Sequence, residues 1–249
     1  MSASTPASTI STGNTSTKSK QPQAVFDGLE SIFAFPPNRE TLGGTAYLIK
    51  EQDASQQTAN ILVDCPALND TNEAFIRANG GISTLFITHR GGMAQVPDFC
   101  KAFAPRQVLI QEQEAYLLPT VTTETFHRDY QISPTSRLFW TPGHSPGSAC
   151  LYHTPQASEA QGGILFTGRH LLPTRQGTPE PLRLSKTFHW PRQLRYAQQL
   201  LSDFTPDTLS YICPGASTGF LRGEKKIDHA YEQLQRVNWE ILSGVEAIL

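Results

Sequence analysis

The sequence has no apolar run long enough to cross a membrane. Its strongest runs, such as Leu85-Phe86-Ile87, are strand-sized, against the roughly 18 residues a spanning helix needs. It has few cysteines: the four, Cys65, Cys100, Cys150 and Cys213, form no CxxC pair, which argues against a disulfide scaffold and for a reduced compartment. It has no excess of one charge. A net charge of −2 over 249 residues gives no general attraction to nucleic acid, and no repeat of solenoid length is visible. The first 24 residues lack acids altogether. Eleven are Ser or Thr and only Lys18 and Lys20 are charged, so the segment cannot bury enough apolar area to offset its ordering entropy. It reads as a disordered tail, 1–24, without the apolar core of a secretory signal. Its Ser-rich, acid-poor composition is shared by plastid transit peptides, but it has no Arg. What is present is apolar material, 38% of the chain, which excludes wholesale disorder and allows one domain over 25–249.

Patterning gives the elements. Ala46–Ile49 and Ile61–Val63 read as strands across a polar hairpin. Residues 70–79 read as a helix closed by Gly80-Gly81, and Thr84–Thr88 as a buried strand. Val96–Phe103 reads as a helix, Arg106–Ile110 as a strand and Gln111–Leu118 as a short helix. Leu138–Trp140, Ala149–Tyr152 and Ile164–Thr167 read as strands, Pro191–Phe204 as a helix and Leu209–Cys213 as a strand. From Glu224 onward Ile227, Tyr231, Leu234, Val237, Ile241 and Val245 share one face of a long helix. Hairpins followed by alternating strands and helices suit two mixed sheets covered by helices.

Four strands end alike. Thr88 runs into His89-Arg90-Gly91-Gly92, and Trp140-Thr141 into Pro142-Gly143-His144-Ser145-Pro146-Gly147-Ser148. Thr167 runs into Gly168-Arg169-His170, and Cys213 into Pro214-Gly215-Ala216. Glycine at a strand end permits close backbone approach, and strand-end loops on a rigid sheet are where clefts form. The four are expected to converge on one cleft.

These blocks carry a resemblance. Gly43, Asp64, Thr88-His89, Thr141 to His144, Leu165 to Gly168 and Pro214-Gly215 follow in the order of the metallo-β-lactamase-fold superfamily. The Thr-Pro-Gly-His-Ser-Pro-Gly-Ser block is the most specific. The chain resembles that superfamily from about Thr41 to Ala216. The resemblance implies an α/β fold, an αββα four-layer sandwich with its site at one sheet edge. The Thr-His-Arg-Gly-Gly and Gly-Arg-His-Leu-Leu-Pro blocks resemble a cyanobacterial and chloroplast subgroup, which implies a cytoplasmic or plastid-stromal setting.

The resemblance also implies a metal centre, and here the chain departs. Where the family has His-x-His-x-Asp-His, this chain aligns Gly91, Met93 and Ala94 after His89. His144 is kept, Arg169 stands where the bridging Asp belongs, and Ala216 where the last His belongs. Two imidazoles fall short of the three ligands plus open position of a catalytic zinc, and a guanidinium cannot ligate. The reading is a non-catalytic binding or scaffold protein without a cofactor. His89, His144, Arg169 and His170 are its cleft remnants, either holding loops in place or taking a small anion. The alternative is a thioester, lactam or phosphoester hydrolase with one zinc or iron ion held by His89 and His144. His189 reads as a helix-entry residue and the cysteines as structural. Ser145 and Ser148 lack the acid of a triad. Six basic residues between Arg169 and Arg195 face only Glu180, a local charge of +5. Arg175, Arg183 and Lys186 with Phe188 and Trp190 are therefore either a solvated loop or a docking surface for an acidic or anionic partner. No membrane span and no sequence-specific nucleic acid partner are expected.

Overall fold

The computed structural model describes residues 20–37, 39–155 and 162–247. Most of the expected tail lies outside them. Strand β1 (Gln23–Phe26) nevertheless opens inside that segment and pairs with β2 (Leu29–Ala34), so the tail boundary at 24 is two residues too late. The first sheet continues through β3 (Tyr47–Ile49) and β4 (Ile61–Val63). Helix α1 (Asp70–Ala78) follows, capped by the Asn69 side chain, which accepts from the Asn72 amide. Next come β5 (Thr84–Ile87), α2 (Val96–Phe103), β6 (Gln107–Gln111) and β7 (Glu124–Phe126). The strand order is sequential, β1 to β7, antiparallel as far as β4 and parallel from β4 onward. The short helix expected before β7 forms over Glu112–Leu117 and is of the 3-10 kind.

The second half builds β8 (Asp129–Ser133), β9 (Ser136–Trp140), β10 (Ala149–His153) and β11 (Ile164–Gly168). A two-stranded ribbon follows, β12 (Leu172–Pro173) with β13 (Pro179–Glu180). Then come α3 (Trp190–Asp203), β14 (Tyr211–Pro214), β15 (Ile227–Asp228), α4 (Ala230–Gln235) and α5 (Trp239–Ser243). The second sheet runs β15-β14-β11-β10-β9-β8.

Two-residue alternation sorts the strands into layers. Phe86, Leu109, Leu138, Leu151 and Phe166 face each other between the sheets. Leu62, Leu85, Ile87 and Ile110 turn outward onto Ile76 of α1 and Phe99 of α2. Cys150, Leu165 and Ile212 turn outward onto Ala197 and Leu200 of α3 and Leu234 of α4. The result is the expected four-layer sandwich. Glu51, beside the first hairpin, clips the two sheets together. It accepts from the Thr135 and Ser136 hydroxyls at 2.8 and 2.6 Å and pairs with His153 at 3.2 Å.

The long C-terminal helix does not form. Ile227 and Asp228 pair with Ile212 and Tyr211, completing the second sheet. His229 then takes a left-handed conformation (φ +51°), which an α-helix cannot continue. Asn238 starts a new helix by accepting from the Ile241 amide. The apolar spacing is still used, since Ile227, Leu234 and Val237 are buried, but Ile241 is 66% exposed.

Trp190 is not a surface anchor. It is 6% exposed, packs with Leu194, Val237 and Leu242, and donates its indole N–H to the Leu242 carbonyl at 3.0 Å. Trp190→Ala is expected to cost about 3–5 kcal/mol in urea unfolding, as other large aromatic truncations in cores do. Phe188→Ala, at a side chain that is 51% exposed, should stay within about 0.5 kcal/mol.

Candidate functional site

The strand-end loops do meet. The Ala149 amide donates to the Thr88 carbonyl (2.9 Å) and the Gly215 amide to the Gly168 carbonyl (2.7 Å). The Thr45 amide reaches across to Gly215 (2.8 Å). The approach is close enough to demand glycine. A Cβ on Gly168, where φ is +52°, would lie 2.3 Å from Thr88 Oγ1, and one on Gly215 would lie 2.7 Å from Gly168 backbone. Between these loops is a cleft of about 70 Å³ whose walls include Leu42, Asp64, His89, Gly91, Arg169 and Gly215.

Its floor is a hydrogen-bonded chain. Asp64 leaves β4 in the left-handed region (φ +57°), a conformation Asp tolerates better than most residues. Its carboxylate accepts from the Thr88 amide at 2.9 Å and from the Thr88 hydroxyl at 2.6 Å. That hydroxyl, having spent its proton, accepts from His89 Nδ1 at 2.9 Å. The bond fixes the tautomer: Nδ1 carries the proton and Nε2 the lone pair. Nε2 is buried without a partner among the described residues. A Cβ on Gly91 would lie 2.8 Å from it, so position 91 admits no side chain while His89 keeps this rotamer.

The charges follow from burial. Burial pushes the Asp64 carboxyl up to about 6, against its Thr88 hydrogen bonds and the Arg169 cation. Burial, then His144 and Arg169, hold His89 well below its ordinary range. Burial, then Arg169 and Arg90, bring His144 down to about 4. Arg169 is half-buried. Its guanidinium donates to the Leu42 carbonyl at a long 3.4 Å, and its buried Nε has no acceptor among the described residues.

Of the four expected cleft residues, His89 and Arg169 line the cavity. His144 stacks edge-on to His89, ring centroids 5.3 Å apart. His170 is fully buried behind them, brought down to about 3 by burial and by His144, and its carbonyl accepts from the Gln193 amide group at 3.0 Å. The structure adds residues that sequence reasoning passed over. In the sequence Asp64 and Thr88 stand only as markers of family order. Glu114, 1% exposed beneath Gly147, forms an ion pair with Arg90 at 3.3 Å. No local pattern marks Glu114, because its burial comes from the loop folded over it. Ser145 and Ser148 are buried, and burial pushes the Cys65 and Cys150 thiols up, the latter to about 12, which leaves them without thiolate character. His189 is exposed and caps α3 by accepting from the Arg192 amide.

The basic segment does not present one face. Arg169 belongs to the cleft, the Arg183 guanidinium donates to the Val245 carbonyl, and Trp190 is core. Arg175, Lys186 and Phe188 remain exposed.

A metal centre is what the fold implies, and the residues present do not fit one. Two imidazoles are at hand, their charged neighbour is a guanidinium, and among the described residues no three His, Cys, Asp or Glu side chains come together as a ligand set.

No family model and no curated protein matches the chain. Solved structures do. A metallo-β-lactamase from Staphylococcus aureus subsp. aureus COL is 17% identical, covers 91% of this chain and 69% of its own, and has a TM-score of 0.60. A β-lactamase domain protein from Burkholderia ambifaria is 15% identical over 88% of this chain and 78% of its own, with a TM-score of 0.58. The metallo-β-lactamase MIM-1 from Novosphingobium pentaromativorans is 12% identical over 86% of each chain, with a TM-score of 0.55. At such identities the likeness is one of architecture, and the architecture of this chain is the metallo-β-lactamase fold.

Proposed function

We propose that this chain is a non-catalytic binding protein of the metallo-β-lactamase fold, its cleft governed by a fixed cation in place of metal ions. The observation that carries this reading is Arg169, whose charge bears on Asp64, His89 and His144 together. A guanidinium stays charged at any working pH and repels a divalent ion. In a cleft of about 70 Å³ it suits a small anion. The Thr-His-Arg-Gly-Gly and Gly-Arg-His-Leu-Leu-Pro blocks support a place in the cyanobacterial and chloroplast subgroup. Among the described residues no helix is long and apolar enough to cross a membrane. Docking of an acidic partner on the basic segment now rests on Arg175, Lys186 and Phe188 alone.

The test is elemental analysis of protein purified without a His tag, with a histidine NMR titration of wild type and Arg169→Ala. Zinc, iron and manganese should be well below one ion per chain. Removing the cation should raise the His144 midpoint from its value of about 4. One tightly held ion per chain would overturn the reading and favour a single-metal hydrolase using His89 and His144. One observation favours that second reading: a 5.3 Å centroid separation is also what two imidazoles sharing one ion would show.

A further inference from the structure

A second cavity shares no lining residue with the cleft. It is a groove of about 410 Å³ on the outer face of the second sheet, inside the usual size range of small-molecule sites. Its origin is topological. Helix α3 covers β10 and β11, whereas β8 is the free edge strand and β9 lies beside it. Along β9 the residues alternate: Ser136 and Leu138 turn inward, while Arg137 and Phe139 turn out into the groove. The opposite wall is one stripe of α3, Tyr196, Gln199, Leu200 and Asp203, spaced as one helical face.

Two features of this groove point to a ligand. The first is Arg137. Its guanidinium sits among three rings, 5.5 Å from the Phe139 centroid, 5.4 Å from Tyr152 and 5.6 Å from Phe204. The rings hold it in place by cation–π attraction but satisfy none of its N–H donors. No hydrogen bond or ion pair to it occurs among the described residues, and its nitrogens are not sealed from the groove. The second is a fixed aromatic platform. The Trp140 indole N–H is anchored to the Pro146 carbonyl at 2.8 Å. Its ring lies 6.0 Å from Tyr196 and 6.5 Å from His127, nearly parallel to the latter. A planar fork of unused donors beside fixed aromatic faces matches one kind of molecule: a carboxylate for bidentate hydrogen bonding, joined to a flat ring for stacking. Asp129 and Asp203 line the groove together with Arg128 and Arg137, so its formal charges cancel, which disfavours a dianion.

We propose that this groove binds a small aromatic monocarboxylate, its carboxylate on Arg137 and its ring against Trp140 and Tyr196. The site is independent of the Arg169 cleft and stands whatever that cleft holds. The probe is 2-naphthoate, titrated into the full chain while the indole N–H resonances of Trp140, Trp190 and Trp239 are followed by NMR, with assignment from Trp140→Phe. The expected result is a saturable shift of the Trp140 resonance, with the Trp190 and Trp239 resonances unmoved. Arg137→Gln should weaken binding by about tenfold or more, the loss typical of a charge-assisted hydrogen bond. If that variant does not fold, the wild type alone decides: 2-naphthylmethanol, which keeps the ring and lacks the charge, should bind weaker by a similar factor. Equal binding of the acid and the alcohol, equal binding by Arg137→Gln, or no saturable shift of Trp140 at millimolar probe would each overturn the proposal.

Discussion

Stability should fall by on the order of 4 kcal/mol between pH 7 and pH 5, which for a typical domain brings unfolding within reach of mild acid. Three buried imidazoles carry the effect: His144 held at about 4, His170 at about 3 and His89 well below its ordinary range. Their folded values lie under the unfolded value of about 6.5. Between those limits the unfolded chain binds more protons, so stability present above pH 6.5 is lost as the pH falls through that window. At about 1.4 kcal/mol per pH unit, His144 and His170 each account for roughly 2 kcal/mol by pH 5, and His89 acts in the same direction. Asp64 acts the other way. Its folded value of about 6 lies above that of a free carboxyl, so the folded chain takes up its proton first and regains about 1 kcal/mol over the same range. Glu51 adds to acid lability only lower down. Its burial is outweighed by hydrogen bonds from His153, Ser136 and Thr135, which hold it at about 2, so its contribution fades below pH 4.5. Urea unfolding at pH 7, 6 and 5 and constant ionic strength measures the sum. His170→Gln should remove close to one proton from the slope. A free energy flat from pH 7 to 5.5 would show that water reaches the three rings and that the cleft is wet.

The second large effect is expected at Gly143. Its backbone has φ +143°, a region that side chains rarely enter. A Cβ there would stand 2.3 Å from Gln193 Cα and 2.4 Å from Gln193 N, both backbone atoms in α3 that cannot swing aside. The surrounding contacts leave no slack, because the His189 amide donates to the Gly143 carbonyl at 2.9 Å and the Phe188 amide to the His144 carbonyl at 3.1 Å. Gly143→Ala should therefore cost about 3–5 kcal/mol, conformational strain and overpacking together, and lower the urea midpoint by about 1 M or more. Gly28→Ala separates the two causes. Gly28 also has positive φ (+74°), but nothing lies within 4 Å of its missing Cβ, so only the strain of about 1 kcal/mol remains. Equal losses at both positions would mean that the loop moves away from α3 when pressed.

How much of this was legible beforehand depends on how local each cause is. The alternation Leu85-Phe86-Ile87 and the block Leu165-Phe166-Thr167 fixed buried strands, since a chain with apolar residues on both faces has to be covered on both. Gly80-Gly81 marked the end of α1, and the ordered strand-end motifs announced the four-layer fold. The cleft pairing of His89 and Arg169 followed from the same order of loops. The errors have a common source. The spacing from Ile227 to Val245 suits one helix, yet a short edge strand gained a ladder with Tyr211 and Ile212 that no local propensity encodes. Trp190 stood among exposed cations in the sequence, and only the approach of Val237 and Leu242 buried it. The Asp64–Thr88–His89 chain, the Arg90–Glu114 pair and the Arg137 groove each join residues from separate strands and loops. Sequence by itself determined which faces of the chain are apolar, and so the layers. Tertiary structure alone decided which polar groups are shut away from water, because that depends on which distant segment covers them.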